Sequence, residues 1–194
     1  MEEKFLIVAN IKLNNLPLFD FPAPDNIEIA IAPQFTEINQ VPAYYSRAAQ
    51  NVDANARKLK GLGVKYCLVG HSYYRNNFGE TNEIVAKKIM ELESVGITPI
   101  VCARSLYEVV TAKIIMYEPE EAISTNGQYH AQSPQAINAI LEKFPNNSKL
   151  LYGGSVNPSN CKLIKDNCKM VSGFVVGHAS LDPKTFLEIV TACS

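Results

Sequence analysis

Two ionisable residues stand where apolar runs stop. Lys65-Tyr66-Cys67-Leu68-Val69-Gly70 runs into His71-Ser72, and Ile114-Ile115-Met116-Tyr117 runs into Glu118-Pro119. In parallel α/β proteins the carboxyl ends of strands are where chemistry is kept. A glutamate leaving a strand there is partly removed from water, which raises its proton affinity and suits it to general-base work; the same residue can also be a solvated loop start. His71 precedes a predicted short helical turn over residues 72–76, whose N-terminal dipole disfavours imidazolium. A neutral ring can act as donor and proton shuttle, although an isolated histidine can equally be a satisfied structural one. Lys12 lies two residues beyond Asn10, at the end of the first apolar run, so strand alternation sends both to one side. It can meet an anionic substrate or simply be solvated.

Tyr152-Gly153-Gly154-Ser155 and Val176-Gly177-His178-Ala179-Ser180 close two further runs. Their glycines can present backbone N–H groups to a phosphate with no side chain in the way. Gly61-Leu62-Gly63 precedes a run instead of following one and lacks the third glycine of a dinucleotide fingerprint. No Walker loop, HExxH or GxSxG occurs.

The elements that must position these residues are eight short runs rich in Ile, Val, Leu and Ala, most without clean alternation, as in parallel strands buried on both faces. They span 4–10, 27–32, 46–51, 64–70, 97–103, 112–118, 149–153 and 171–177. Amphipathic stretches at 54–61, 81–95, 133–144, 158–167 and 182–193 lie between several of them. Thr81 and Asp182 suit N-caps, Pro183 a first helical turn, and Gly96 a terminator. Strands alternating with helices predict βαβ units and a parallel sheet. Two crossovers are too thin for ordinary helices: residues 11–26 carry Pro17, Pro22 and Pro24, and only eight residues separate Ala103 from Ala112. Leu16, Leu18, Phe19 and Phe21 could cover the strand faces left bare by the first of these.

At 194 residues the chain is expected to form one domain over 1–194, with no internal repeat or interdomain linker. Eighteen Lys and Arg against nineteen Asp and Glu leave a formal charge of −1, with no like-charge block to track nucleic acid or an anionic membrane. Met1-Glu2-Glu3-Lys4 opens acidic and fits neither a signal peptide nor a spanning helix, so a cytoplasmic location is expected. Five cysteines without a CxxC pairing predict reduced, buried thiols. The triplet Asn146-Asn147-Ser148 reads as polar loop.

The order and neighbours of these residues resemble the triosephosphate isomerase family from end to end. The resemblance rests on Ala9-Asn10-Ile11-Lys12-Leu13-Asn14, Ala49-Gln50-Asn51, Gly70-His71-Ser72 through Phe78-Gly79-Glu80-Thr81, Tyr117-Glu118-Pro119, Tyr152-Gly153-Gly154-Ser155-Val156-Asn157, and Gly173-Phe174-Val175-Val176-Gly177 with Ala179-Ser180-Leu181. It implies an α/β fold, a (β/α)8 barrel trimmed so that the helices after strands 1 and 5 are missing or much reduced. It implies interconversion of dihydroxyacetone phosphate and D-glyceraldehyde 3-phosphate, with no metal or organic cofactor. In that scheme Glu118 is the base, His71 the neutral electrophile, Lys12 the cation that stabilises enediolate charge, and Asn10 an orienting amide. Ser124, Ser155, Gly177 and His178 would meet the substrate phosphate, and residues 119–128 would form the closing loop.

The chain departs from the family pattern at informative places. Tyr73 stands where a glutamate supports the lysine, and Tyr74 where an arginine is usual. Ser124 replaces a loop glycine, Pro119-Glu120-Glu121 an apolar hinge, and His178 the second glycine of the eighth loop. Between Asn51 and Leu59 the chain is too short for the finger that makes the family dimer, so a monomer or a non-standard oligomer is expected. The alternative reading of these departures is a catalytically impaired relative that binds a phosphate ligand or an interaction partner.

Overall fold

The computed structural model describes residues 3–53, 55–122 and 130–194. Eight strands, β1 (Phe5–Asn10), β2 (Ile27–Ala32), β3 (Ser46–Ala49), β4 (Val64–Val69), β5 (Thr98–Ala103), β6 (Ile114–Tyr117), β7 (Lys149–Tyr152) and β8 (Val171–Val176), pair in chain order. Every pairing is parallel and β1 closes on β8, so the sheet is a closed barrel. Each strand lies within its expected run, with at most two residues trimmed from an end.

Parity along the strands separates two apolar layers. Leu6, Val8, Ala30, Ala32, Leu68, Ile100, Cys102, Met116, Leu151 and Val175 belong to a cluster built from strands alone, which fills the barrel interior. Their neighbours Ile7, Ala9, Ile31, Val69, Val101, Ile115 and Val176 pack outward, in a cluster shared with helical Val85, Leu92, Ile137 and Phe186. This is the period of two expected of a strand. Because both layers are apolar, the strands read in sequence as continuous runs. Carried to the carboxyl ends, the inward parity reaches Asn10, Glu118, Gly153 and Gly177.

The outer ring comprises α1 (Ala56–Gly61), α2 (Ser72–Phe78), α3 (Asn82–Ser94), α4 (Pro134–Leu141), α5 (Cys161–Asn167) and α6 (Pro183–Cys193). Buried Val85, Ile89 and Leu92 on α3, and Phe186, Ile189, Val190 and Cys193 on α6, recur at helical spacing. Thr81 and Asp182 cap as expected: the Thr81 side chain accepts from the Ile84 N–H and that of Asp182 from the Thr185 N–H. Pro183 takes the first helical position.

The ring is trimmed as anticipated and further. No helix lies between β1 and β2, and only a 3-10 turn (Leu106–Glu108) between β5 and β6. The crossover from β2 to β3 also lacks an α-helix and holds a 3-10 turn (Phe35–Gln40) that buries Ile38, a reduction not anticipated. The first gap is covered by extended chain. Phe19 and Phe21 are buried, with Phe19 edge-on to Phe186 at 5.4 Å and to Tyr45 at 6.4 Å. The Tyr44 hydroxyl donates to the Phe19 carbonyl at 3.1 Å and that of Tyr45 to the Phe21 carbonyl. Leu18 departs from expectation and is 78% exposed, because in extended chain it faces away from Phe19.

All five cysteines are free and buried. Among the described residues no helix is long and apolar enough to cross a membrane, and no cluster of three His, Cys, Asp or Glu could hold a metal ion.

Candidate active site

Glu118 is the first residue past β6. Its N–H donates to the Ala103 carbonyl at 3.0 Å, which ties it to β5, and inward parity buries its carboxylate at the barrel mouth. Its Oε2 lies 3.4 Å from His71 Nε2 and accepts from the Ser72 hydroxyl at 3.4 Å.

His71 is the N-cap of α2, and its ring does the capping: Nδ1 accepts the Tyr73 N–H at 3.3 Å. A nitrogen that accepts carries no proton, so the proton of the neutral ring sits on Nε2, facing Glu118. A separation of 3.4 Å is long for a hydrogen bond, and Nε2 has no other partner among the described residues. The donor is therefore available to a ligand.

The strand end behind the histidine is clamped. Gly70 has φ +73°, a conformation that side chains disfavour; its N–H donates to Glu80 at 3.0 Å and its carbonyl accepts from Arg75 Nε at 2.8 Å. Glu80 pairs in turn with Lys88, which also donates to Asn51 Oδ1 at 2.8 Å. Spacing and composition do not reveal this clamp; its one sequence signal is the stretch from Gly70 to Thr81.

Burial is the largest influence on Glu118 and raises its proton affinity. The adjacent His71 ring, which attracts the carboxylate as a cation when protonated, the charge of Lys12 and the Ser72 hydroxyl outweigh it, so the carboxyl titrates below its ordinary value. Desolvation therefore acts as expected from sequence, but its expected net result is reversed by these neighbours.

Lys12 reaches the mouth by a different route from the one alternation predicts. Its φ is +54°, so the chain leaves the strand through a left-handed turn. Gln50 Nε2 holds that turn by donating to the carbonyls of Lys12 at 2.7 Å and Ala32 at 3.1 Å, while Asn10 Oδ1 accepts the Lys12 N–H at 3.3 Å. The ammonium lies along Gly177, where an added Cβ would sit 3.6 Å from Lys12 Cε and 3.7 Å from Nζ. Among the described residues no carboxylate pairs with Lys12. Gln50 is a positioning group that sequence reading registered only as part of a motif.

The remaining candidates divide. Ser155 is buried with φ +49°, and its hydroxyl donates to the Ala122 carbonyl at 2.6 Å, so it ties the seventh loop to the segment after Glu118. Gly153 and Gly154 are required for close packing. A Cβ on the first would lie 2.6 Å from Met116 Sδ, and one on the second 2.4 Å from the Tyr152 hydroxyl. His178 is exposed at the rim, in a 3-10 turn (His178–Ser180). Ser124 and the stretch 123–128 of the expected loop lie outside the described residues. Of that loop, Glu120–Ala122 forms a 3-10 turn; Glu120 is 3.6 Å from Arg104, and Glu121 accepts from Gln132 at 2.6 Å.

Asn10, Lys12, Gln50, His71, Ser72 and Tyr73 face one cavity of about 480 Å3. A wider hollow of about 840 Å3 between α4 and α5 contains none of the candidate residues, so volume alone would have misplaced the site. The smaller cavity joins a proton donor, a cation and, beside it, a carboxylate with proton affinity set by its neighbours.

Comparison with known proteins gives the family of the chain. The family model described as triosephosphate isomerase matches residues 9–113 and 104–193. A triosephosphate isomerase of Aquifex aeolicus is 31% identical over 242 residues, covering 95% of this chain and 98% of that protein. One of Mycoplasmopsis pulmonis is 31% identical over 243 residues, covering 97% and 98%, and one of Neurospora crassa 30% over 249, covering 99% of each. Alignments of that length against 194 residues mean that these relatives carry segments this chain lacks. With a closed eight-stranded parallel barrel and matches along nearly its whole length, the chain belongs to the triosephosphate isomerase family.

Proposed function

We propose that the chain interconverts dihydroxyacetone phosphate and D-glyceraldehyde 3-phosphate. Glu118 removes the proton from the carbon next to the carbonyl, and His71 Nε2 polarises the carbonyl oxygen and moves protons between the two oxygens. Glu118 then returns its proton to the neighbouring carbon. Lys12 stabilises the negative charge of the enediolate and its phosphate. This division of labour is taken over from the family, in which a glutamate base works beside a neutral histidine. The observation that carries the reading is the meeting of Glu118, His71 Nε2 and Lys12 at one buried mouth, with the two nearest atoms 3.4 Å apart.

The enediolate phosphate can expel its phosphate if water enters, so burial of the base is part of the chemistry. Gly177 beside Lys12 offers an open backbone to the phosphate, with His178 at the rim and Ser124 and Ser155 contributing from the sixth and seventh loops. The chain acts as a monomer or in an assembly unlike the family dimer, since the finger after β3 is too short to reach a neighbour.

A coupled assay on glyceraldehyde 3-phosphate, run beside Glu118→Gln, tests the reading. Turnover lost in the variant is expected; equal rates would remove Glu118 as the base. A second reading, ligand binding without turnover, is favoured by one observation: among the described residues Lys12 has no carboxylate partner, and Tyr73 occupies the position from which the family pattern would supply one. Calorimetry with a phosphorylated enediolate mimic separates the two, since binding without activity supports the second.

A further inference from the structure

The cavity at the barrel mouth is larger than a triose phosphate requires, and its surplus has a defined chemical character. A triose phosphate has ten non-hydrogen atoms. Even at the roughly 30 Å3 that liquid water allots to each, it needs no more than about 300 Å3. The cavity offers about 480 Å3, and neither Ser155 nor Gly177 is among its walls. A phosphate held by those two groups adds its volume elsewhere. Only the carbon chain and its oxygens remain for the inner end, about 180 Å3 by the same measure.

Beside Lys12 and His71 the cavity is walled by Leu13, Tyr73 and Tyr74. Leu13 is 72% exposed and Tyr73 43% exposed, yet both line the cavity, so their apolar surfaces are open to whatever enters. Tyr73 is braced by Tyr74 and Phe78, edge-on at 5.3 and 5.8 Å. Three amides in this wall are engaged with the protein. Asn14 Nδ2 donates to the Ile11 carbonyl, Gln50 Nε2 to those of Lys12 and Ala32, and Asn76 Oδ1 accepts from Arg104. The outer wall therefore presents a braced aromatic ring and an aliphatic side chain, while the inner end presents the ammonium of Lys12 and the unpartnered Nε2 of His71.

We infer that this site accepts phosphorylated carbonyl compounds longer than a triose, with an apolar, planar substituent on the carbon farthest from the phosphate, seated between Leu13 and Tyr73. The inference rests on the proposed isomerase reading, which sets the direction in which the ligand lies. An aromatic substituent against Tyr73 gains both buried apolar area and ring-to-ring contact.

Two probes test it by competition in the isomerase assay or by calorimetry: 2-phosphoglycolohydroxamate, whose nitrogen stands where the carbon remote from phosphate would be, and its N-benzyl derivative. In the wild type the benzyl compound is expected to bind about tenfold tighter than the parent. In Tyr73→Ser and Leu13→Ser, both at exposed positions that leave the core intact, that ratio is expected to fall toward one. A benzyl compound weaker than its parent, or a ratio unmoved by both substitutions, overturns the inference and leaves the isomerase reading standing. Failure of the parent compound to bind overturns both. A ratio that falls as protein concentration rises assigns the space to a second copy of the chain and overturns the inference.

Discussion

The two ends of the barrel each hold a carboxylate among polar neighbours, half-buried at the floor and buried at the mouth, and they differ in how completely it is satisfied. At the floor, Glu28 Oε1 accepts from Lys65 at 2.6 Å, Ser46 at 2.7 Å and Tyr66 at 3.0 Å. Burial raises its proton affinity, but these donors outweigh it and hold the carboxyl below its ordinary value, while burial and the charge of Glu28 push the Tyr66 hydroxyl up to about 12. At the mouth, Glu118 is lowered in the same direction, yet its contacts to His71 and Ser72 are both 3.4 Å long, and Lys12 stands unpaired among the described residues. The floor has used its hydrogen-bonding capacity on itself; the mouth retains it, which is the distinction between a structural ionic cluster and a reactive one.

Exchanging the two carboxylates for amides should break the symmetry most strongly. Glu118→Gln is expected to lower kcat by two to four orders of magnitude, the range for a general base, with the thermal midpoint unchanged or slightly higher; a large fall in stability would mean that the mouth is structural too. Gln50→Ala releases the carbonyl that holds Lys12 in its left-handed turn. A displacement of the ammonium by about 1 Å is expected to cost on the order of 100-fold in kcat/KM, and Gln50→Glu, which cannot donate, should behave alike. Tyr73→Glu places a carboxylate near Lys12 and is expected to raise kcat/KM several-fold for the triose phosphate, measured by the same assay; a loss would show that Lys12 works best alone.

The smallest effect belongs to the floor. Glu28→Gln is expected to cost about 1 kcal/mol in denaturant unfolding at neutral pH and to leave kcat unchanged. Because the folded-state pKa of Glu28 is depressed, its contribution is present above the ordinary carboxylate value and lost as pH falls through the lowered one. The stability difference between wild type and variant should therefore shrink in acid, and a difference that grew there would contradict the assignment.

Much of this arrangement was legible in the chain because the strands are buried on both faces and end at polar residues. Glu118 and Asn10 could be placed from that fact and parity. The trimming after β1 was readable from three prolines; Pro33 and Pro42 after β2 carry a similar signal, which went unread. The side that Lys12 faces was anticipated for the wrong reason, because a left-handed non-glycine residue has no local signature and depends on Gln50, 38 residues away. Likewise the Gly70 clamp needs Glu80 and Lys88 from across a helix turn, and the net titration of Glu118 depends on neighbours from β1 and α2. These are tertiary facts; pattern reading reaches them only through a family likeness.

The aromatic strap over the bare first crossover has a consequence for how the molecule is made. Phe19 and Phe21 are emitted early in synthesis, but the ring they rest against, Phe186, and the strand that seals β1, β8, come more than 150 residues later. Until then these side chains can pack on each other and on Tyr45 but lack Phe186 and the closed barrel. A nascent chain of this protein should depend on chaperone contact near residues 16–21, and the dependence should end once α6 has emerged.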